Sequence, residues 1–463
     1  MQSWAEQELK DTGLPDKRLN QRLIKIVQQA VQQPSATIPQ ASETWSDTKA
    51  TYDFWKSERF DYGDIIEGHR QKTLERAKEK ELVLMIQDTS DFNFTHHPSK
   101  TWEKGFGQTC SQNYVRGLKV HSSLMVSTQG VPLGICDLQI WTREPKKNQD
   151  KKQQQKLSKS LKEKESKRWL RGLVDTELAV SPKTKVVTIT DREGDIYEMF
   201  AMERSDNSEL LIRAKHNRRV ESELKYLLPS LGASESQGEI EIVLPKTQKR
   251  MARKAIVTIC CTQVKIIRPQ NCVSKQESIL INVISVVEEN PPRGEKGIEW
   301  ILLTTLPIAN YEDVLTYIRW YTYRWLIERY HYVLKSGCGV EKLQLETAER
   351  IKKALATYAI VASRLLWLLY ESRNNPDITS ELVFSKDEWQ SLYCYIHKTS
   401  SPPNVAPPIK EVIIWIAKLG GFLGRKKDGE PGIKCLWKGL RRLFDITQSW
   451  TLAKSPLDKD FKT

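Results

Sequence analysis

Nowhere in these 463 residues do 18 apolar residues run together, and no positively charged leader precedes an apolar stretch. The expectation is a cytoplasmic, nucleoid-associated chain that does not enter a membrane. Cysteine is sparse. The eight residues show no zinc spacing, and Cys260 and Cys261 are adjacent in a strand-like run, so buried thiols in a reducing compartment are expected in place of a zinc module. No internal repeat divides the chain, and no arrangement of His, Ser and Asp supplies a covalent nucleophile. Negative charge is in deficit: 58 acidic residues stand against 72 basic ones, a formal net charge of +14. Such a surface favours a polyanion and still leaves acids enough for a metal site. A chain of this length divides into two to four domains.

The stretch Tyr321–Lys335, YTYRWLIERYHYVLK, contains neither Gly nor Pro, and Leu326, Tyr330 and Val333 recur at helical spacing. One helix is predicted there. Tyr321, Arg324, Glu328 and Lys335 then fall on roughly one side of it. A carboxylate framed by a guanidinium and an ammonium holds a metal while the cations meet phosphate. A solvated face with favourable Glu to Lys or Arg spacing explains the same pattern.

Residues 1–78 read as a helical domain, with Lys17, Arg18, Arg22 and Lys49 as candidate phosphate contacts and Leu19, Leu23, Val27 and Val31 as the packing face of one helix. A partner-binding bundle has the same composition. From residue 79 to 219 the signals alternate. LVLMIQD is a short apolar run ending in Asp88, strands are predicted over Tyr114–Ser127 and Val131–Trp141 around a Gln129–Gly130 turn, and KVVTITD ends in Asp191. The Lys- and Gln-dense tract from Arg143 to Lys167 reads as a helix or a wet loop. Lys215, His216, Arg218 and Arg219 form a basic cluster. Residues 220–300 carry four strand runs, with separate strands at Ala255–Cys261 and Val264–Arg268, and read as a β-rich insertion ending near Trp300. Residues 301–370 bring the Glu328 helix and an apolar core helix, and 371–463 a C-terminal region of further helices.

Asp88 and Asp191 thus stand at strand ends and Glu328 on a helix face. Carboxylate oxygens suit Mg²⁺ or Mn²⁺, and two such ions about 3.5–4 Å apart serve phosphodiester cleavage or transfer. For each acid alone, a cap or surface turn is the plainer reading. His96 and His97 are adjacent on an extended segment, where neighbours point apart, so loop or DNA contact is preferred to a metal site.

The run DREGDIY at Asp191–Tyr197 and the Y-x2-R-x3-E-x6-K spacing of Tyr321, Arg324, Glu328 and Lys335 resemble the signatures of the IS-four family of bacterial DDE transposases, whose best-known relative is the Tn-five transposase. QDTSDFNF resembles the strand bearing that family's first acid, and LPDKRLNQRL its end-binding domain. The resemblance covers roughly residues 10–370, with a further tail motif, GGFLGRKKDGEPG. It implies an α/β fold: a ribonuclease H-like catalytic core with a β-rich insertion, plus helical N-terminal and C-terminal regions. It implies a DDE triad of Asp88, Asp191 and Glu328 that binds two Mg²⁺ ions, with Mn²⁺ as a substitute. The implied activity is cut-and-paste transposition, cleavage at insertion-sequence ends and strand transfer, through a hairpin in the best-studied branch. The implied partners are double-stranded DNA with terminal inverted repeats, target DNA and a second copy of the chain in a synaptic dimer. Tyr321, Arg324, Lys335 and Arg192 match phosphate-contacting or positioning positions. Trp300 matches a residue that stacks near a flipped base, against which stands a core tryptophan at a strand end. Two competing readings are a catalytically silent transposase-derived DNA-binding protein and a metal-dependent nuclease without strand transfer.

Overall fold

The structure, a computed structural model, describes residues 3–109, 115–143, 151–244, 252–270, 272 and 274–454, the side chains of 151–164 excepted. Tyr114, which opened one predicted strand, and residues 144–150 of the polar tract lie outside the described residues.

Five helices come first: α1 (Trp4–Leu9), α2 (Lys17–Gln32), α3 (Ile38–Ala41), α4 (Trp45–Lys56) and α5 (Tyr62–Lys78). Their starts are set by side chains that satisfy free backbone N–H groups. Asp16 accepts from Leu19 N at 2.8 Å, and Asp61 and Asp64 cap α5 reciprocally. Burial of Leu23, Ile26 and Val27 gives α2 its inner face.

The centre is a ten-stranded sheet. Its strands are β1 (Leu82–Asn93), β2 (Gly107–Gln108), β3 (Arg116–Ser127), β4 (Pro132–Trp141), β5 (Lys185–Thr190), β6 (Ser208–Arg213), β7 (Ser236–Leu244), β8 (Arg253–Ile267), β9 (Ser278–Val287) and β10 (Glu299–Thr304). β1, β3 and β4 form an antiparallel meander; β5 and β6 lie parallel on the other side of β1. Three antiparallel strands followed by two parallel ones, with helices on the faces, is the ribonuclease H-like arrangement. β1 is fully buried from Val83 to Gln87, as an inner strand covered on both faces must be. Helix α6 (Lys151–Ala179) connects the meander to β5, and the short α7 (Tyr197–Ala201) connects β5 to β6.

The β-rich segment continues this same sheet. After α8 (Leu227–Gly232), strands β7, β8 and β9 form a second meander, and β10 joins it to β6 through the pairing of Leu302 with Arg213. β8 is one strand of 15 residues where two were expected. Its pairing with β9 runs unbroken from Thr258–Val287 to Ile267–Ser278, so the polar Thr262 and Gln263 are ladder residues instead of a turn.

The central signature stretch also differs from the single predicted helix. α9 (Tyr311–Thr322) ends, and α10 (Trp325–Tyr332) begins after a tight turn in which Arg324 N donates to Tyr321 O and Leu326 N to Tyr323 O. Past Tyr332 the helix widens, with Cys338 N reaching back five residues to Val333 O at 2.8 Å. Tightening at one end and a π-type turn at the other shift the azimuth of Tyr321 and Lys335, something an ideal 3.6-residue helix does not allow for.

Helix α11 (Ala348–Asn374) is long and apolar enough to cross a membrane, yet 83% of its most apolar window is buried inside the protein. The indole N–H of Trp55 on α4 donates to Thr357 on it at 3.2 Å, tying the N-terminal helices to the core. The chain closes with α12 (Lys386–His397), α13 (Ile409–Leu419) and α14 (Ile433–Lys454). The last two touch backbone to backbone because Gly420 and Gly439 lack side chains; a Cβ on Gly439 would lie 1.8 Å from Ile416 O. Ile413, Trp415 and Leu419 of α13 are buried within this chain.

Candidate active site

The parallel register pairs Leu82 with Lys185 through Ile86 with Ile189. Two residues further on, where β5 ends, Asp88 and Asp191 therefore stand side by side. Their alignment follows from backbone pairing, so the side chains meet wherever the sheet forms. Asp191 is held further by its own turn, accepting Glu193 N at 2.8 Å. Burial raises the Asp191 carboxyl above its ordinary range; the Glu193 N–H opposes this, and the Asp88 charge adds to it.

Glu328 projects toward the pair from α10. Burial raises its carboxyl too, Arg324 opposes the shift, and both Asp88 and Asp191 reinforce it. Three carboxyls that feel one another's charge are thus gathered from two strands and a helix. Arg324 Nη1 lies 2.7 Å from Glu328 Oε1. Arg324 is itself buried, with its pKa raised by the surrounding acids despite desolvation. Lys335 stands over the Phe92 ring at 5.0 Å, and burial lowers its ammonium while Glu341, Asp91 and Asp88 pull the other way. Tyr321 is buried, with its pKa raised by desolvation against the nearby Arg324 and Arg213.

Three carboxylates supply hard oxygen donors, the chemistry that suits Mg²⁺ or Mn²⁺. Among the described residues no three His, Cys, Asp or Glu side chains form a metal-holding group.

Other candidates are distributed differently. Lys17, Arg18, Lys49, Arg192, Lys215, His216 and Arg219 are exposed. The structure turns three more inward. Arg22 pairs with Asp47 at 3.1 Å and joins α2 to α4. Arg218 is 7% exposed and grips Asp195, its Nε donating to Oδ1 at 3.0 Å and its Nη2 to the carbonyl at 2.9 Å. Asp195 also accepts Lys215 N at 2.7 Å and His216 N at 3.1 Å, so the acid ending DREGD shapes the basic loop. Trp300 is 9% exposed and meets Tyr321 edge-on at 5.2 Å among the buried aromatics. His97 lies 3.2 Å from Glu341 O and joins a loop.

Three polar residues behind the acids escaped the sequence reading. His331, one turn after Glu328, places Nδ1 3.7 Å from Asp88 Oδ2 and Nε2 3.2 Å from Ser122 Oγ. Its three-residue spacing from Glu328 was the available signal. Arg168 on α6 donates to Thr89 Oγ1 at 2.9 Å and to Glu193 Oε2 at 3.0 Å, while His121 lies 2.9 Å from Thr89 and 3.2 Å from Gln87. His121 is wholly buried, and desolvation holds its pKa well below the usual value. Nothing local in a Lys-rich tract marks Arg168 as different from its neighbours.

Comparison with known families divides the chain in three. Residues 79–363 match the transposase DDE domain, residues 1–60 the transposase DNA-binding domain, and residues 360–456 the transposase Tn5 dimerisation domain. The first match alone spans more than half of the chain, and it contains all three gathered acids.

Proposed function

Because the chain belongs to the family of DDE-domain transposases, we propose that it cuts DNA at the ends of its own insertion sequence and joins the freed 3′ ends to target DNA. A DDE-type enzyme that carries a DNA-binding domain and a dimerisation domain is the premise; the chemistry, substrate and residue roles are the reading. The observation that carries it is the side-by-side register of Asp88 and Asp191 with Glu328 coupled to both.

Family membership implies a divalent-metal mechanism in general, and Asp88, Asp191 and Glu328 are the residues that would hold Mg²⁺ or Mn²⁺. Bound there, such ions activate water or a 3′-hydroxyl and stabilise the leaving oxygen at phosphorus. The remaining work falls to the chain's own groups. Arg324 presents a planar fork to a non-bridging phosphate oxygen and exchanges Glu328 for it as substrate arrives. Lys335 supplies a point charge, Tyr321 a hydroxyl donor, and Arg192 an exposed cation where the strand enters. Exposed Lys17, Arg18 and Lys49 on the N-terminal helices meet the duplex backbone of the terminal repeat, with Lys215, His216 and Arg219 contacting backbone nearer the cut. Two copies of the chain, paired through residues 360–456, would hold two ends for concerted cutting. A DNA substrate places the protein at the nucleoid.

The test is cleavage and strand transfer on a fragment bearing the element's own ends, in Mg²⁺, beside Asp191→Ala. Double-strand breaks at the ends with joined products, both lost in the variant, support the reading. Breaks without joining would indicate a nuclease. Specific binding without metal-dependent breakage would indicate a silent DNA-binding descendant.

A further inference from the structure

A buried guanidinium without an ion pair among the described residues stands on α11 beside Trp4 of α1, away from the acid cluster. Arg364 is 8% exposed. Its guanidinium carbon stands 4.7 Å from the Trp4 ring centre and 4.4 Å from that of Trp367. Among the described residues no hydrogen bond or ion pair engages it, and desolvation pushes its pKa down to about 9. Ring contacts leave its in-plane N–H donors unused. It faces a cavity of about 430 Å³ whose wall also includes Lys10, His69, Lys72, Arg76 and Glu8.

The charges in that wall do not balance. Glu8 is already engaged by His69 at 2.5 Å and by Arg76 at 2.9 Å, and Lys72 by Glu75 at 2.8 Å. Lys10 and Arg364 remain as two cations without an ion pair among the described residues, Glu8 and Glu388 acting on Arg364 only through longer-range attraction. An unpaired charge kept out of water costs stability, and an apolar residue of similar volume fills such a position at less cost. A guanidinium placed at the wall of a cavity without an ion pair points to a ligand.

We propose that this cavity is an anion site that takes the phosphate of a small ligand, inorganic phosphate or a phosphomonoester. Two cations without an ion pair match a dianion, and a guanidinium edge matches the paired oxygens of phosphate. Arg364 lies too deep for the backbone of a duplex resting on the surface. Lys10, exposed at the rim, closes the second side. The site is independent of the acid cluster, so its occupancy does not depend on the proposed transposition chemistry.

The experiment is titration of the full chain with inorganic phosphate, read by ³¹P line broadening and calorimetry at constant ionic strength, for the natural protein, Arg364→Met and Lys10→Ala. Saturable binding is expected, weakened at least about tenfold by either variant, with Arg364→Met melting no lower than the natural protein in phosphate-free chloride buffer. Absence of saturable binding, or binding undiminished by both variants, overturns the proposal. So does a melting temperature depressed in Arg364→Met without phosphate, which would make the guanidinium a packing element of the two indoles. Failure of Arg364→Met to fold is the extreme of that outcome and overturns the proposal likewise. Displacement of phosphate by a duplex without terminal phosphates would assign the cavity to the DNA backbone and overturn the small-ligand reading.

Discussion

Asp88, Asp191 and Glu328 come from three elements and differ in what holds them. Replacing any one by its amide keeps volume and removes charge, so Asp88→Asn, Asp191→Asn and Glu328→Gln should each lower end cleavage by about 10³-fold or more, while gel-shift affinity for end DNA stays within about threefold. Loss of DNA binding in these variants would count against a chemical role. The titration of these acids gives a second expectation. Asp191 and Glu328 have folded-state pKa values raised above those of the unfolded chain. Their contribution to stability is therefore full below the unfolded values and is lost as pH rises through the raised ones. Above that window the folded state carries repulsion that a divalent cation offsets. Mn²⁺ should raise the melting temperature at about pH 8 and leave it unchanged near pH 4, and Asp88→Asn should remove the response.

At the scale of elements, the first N-terminal helix is fastened to the fifth by a buried carboxylate. Glu8 on α1 accepts from both terminal nitrogens of Arg76 on α5 at 2.9 Å and meets His69 at 2.5 Å. Burial alone would raise its pKa; His69 and Arg76 more than offset that and hold it at about 2 against an ordinary 4.5. A lowered folded-state value means stability present above the unfolded pKa and lost as pH falls toward the folded one. Glu8→Gln should thus cost up to about 3 kcal/mol in urea melts at neutral pH and almost nothing near pH 2. The α13–α14 contact is fastened by absence of side chains. Gly439→Ala would drive a methyl into the Ile416 carbonyl. About 1–3 kcal/mol of destabilisation and a weakened dimer in sedimentation are expected, since α13 and α14 lie in the matched dimerisation domain.

For the whole molecule, the net charge of +14 lies in the catalytic and dimerisation regions, because residues 1–60 balance eight basic residues with eight acidic ones. If the exposed cations of α2, α4 and the loop after β6 engage about six to ten phosphates, end-DNA affinity should fall by about 10³ to 10⁵ between low and moderately high salt. A slope of the log–log salt plot near zero would mean that these cations do not meet the backbone. The single continuous sheet matters at this scale too. It runs from the first meander through β6 and β10 into the second, so β7–β9 and the strand that leads into Asp191 belong to one hydrogen-bonded sheet.

Local chemistry alone already specified several features. An apolar run ending in a carboxylate placed Asp191 just past the end of β5, whereas β1 continues through Asp88 to Asn93, so that Asp88 lies within its strand, opposite Ser122 of β3. The signature spacing placed Arg324 and Glu328 one helical turn apart, where their 2.7 Å contact is found. Caps such as Asp16 and Asn310 mark helix starts because their oxygens satisfy N–H groups within three residues. Tertiary structure decided the rest, because those outcomes depend on partners distant in the chain. Whether Arg218 meets solvent or Asp195, whether Trp300 offers a face or packs on Tyr321, and whether β7–β9 stand apart or extend the core sheet are questions of long-range pairing. Side-chain type and local spacing leave such pairing open; burial closes it, because a buried charge needs a partner and a buried ring needs a surface.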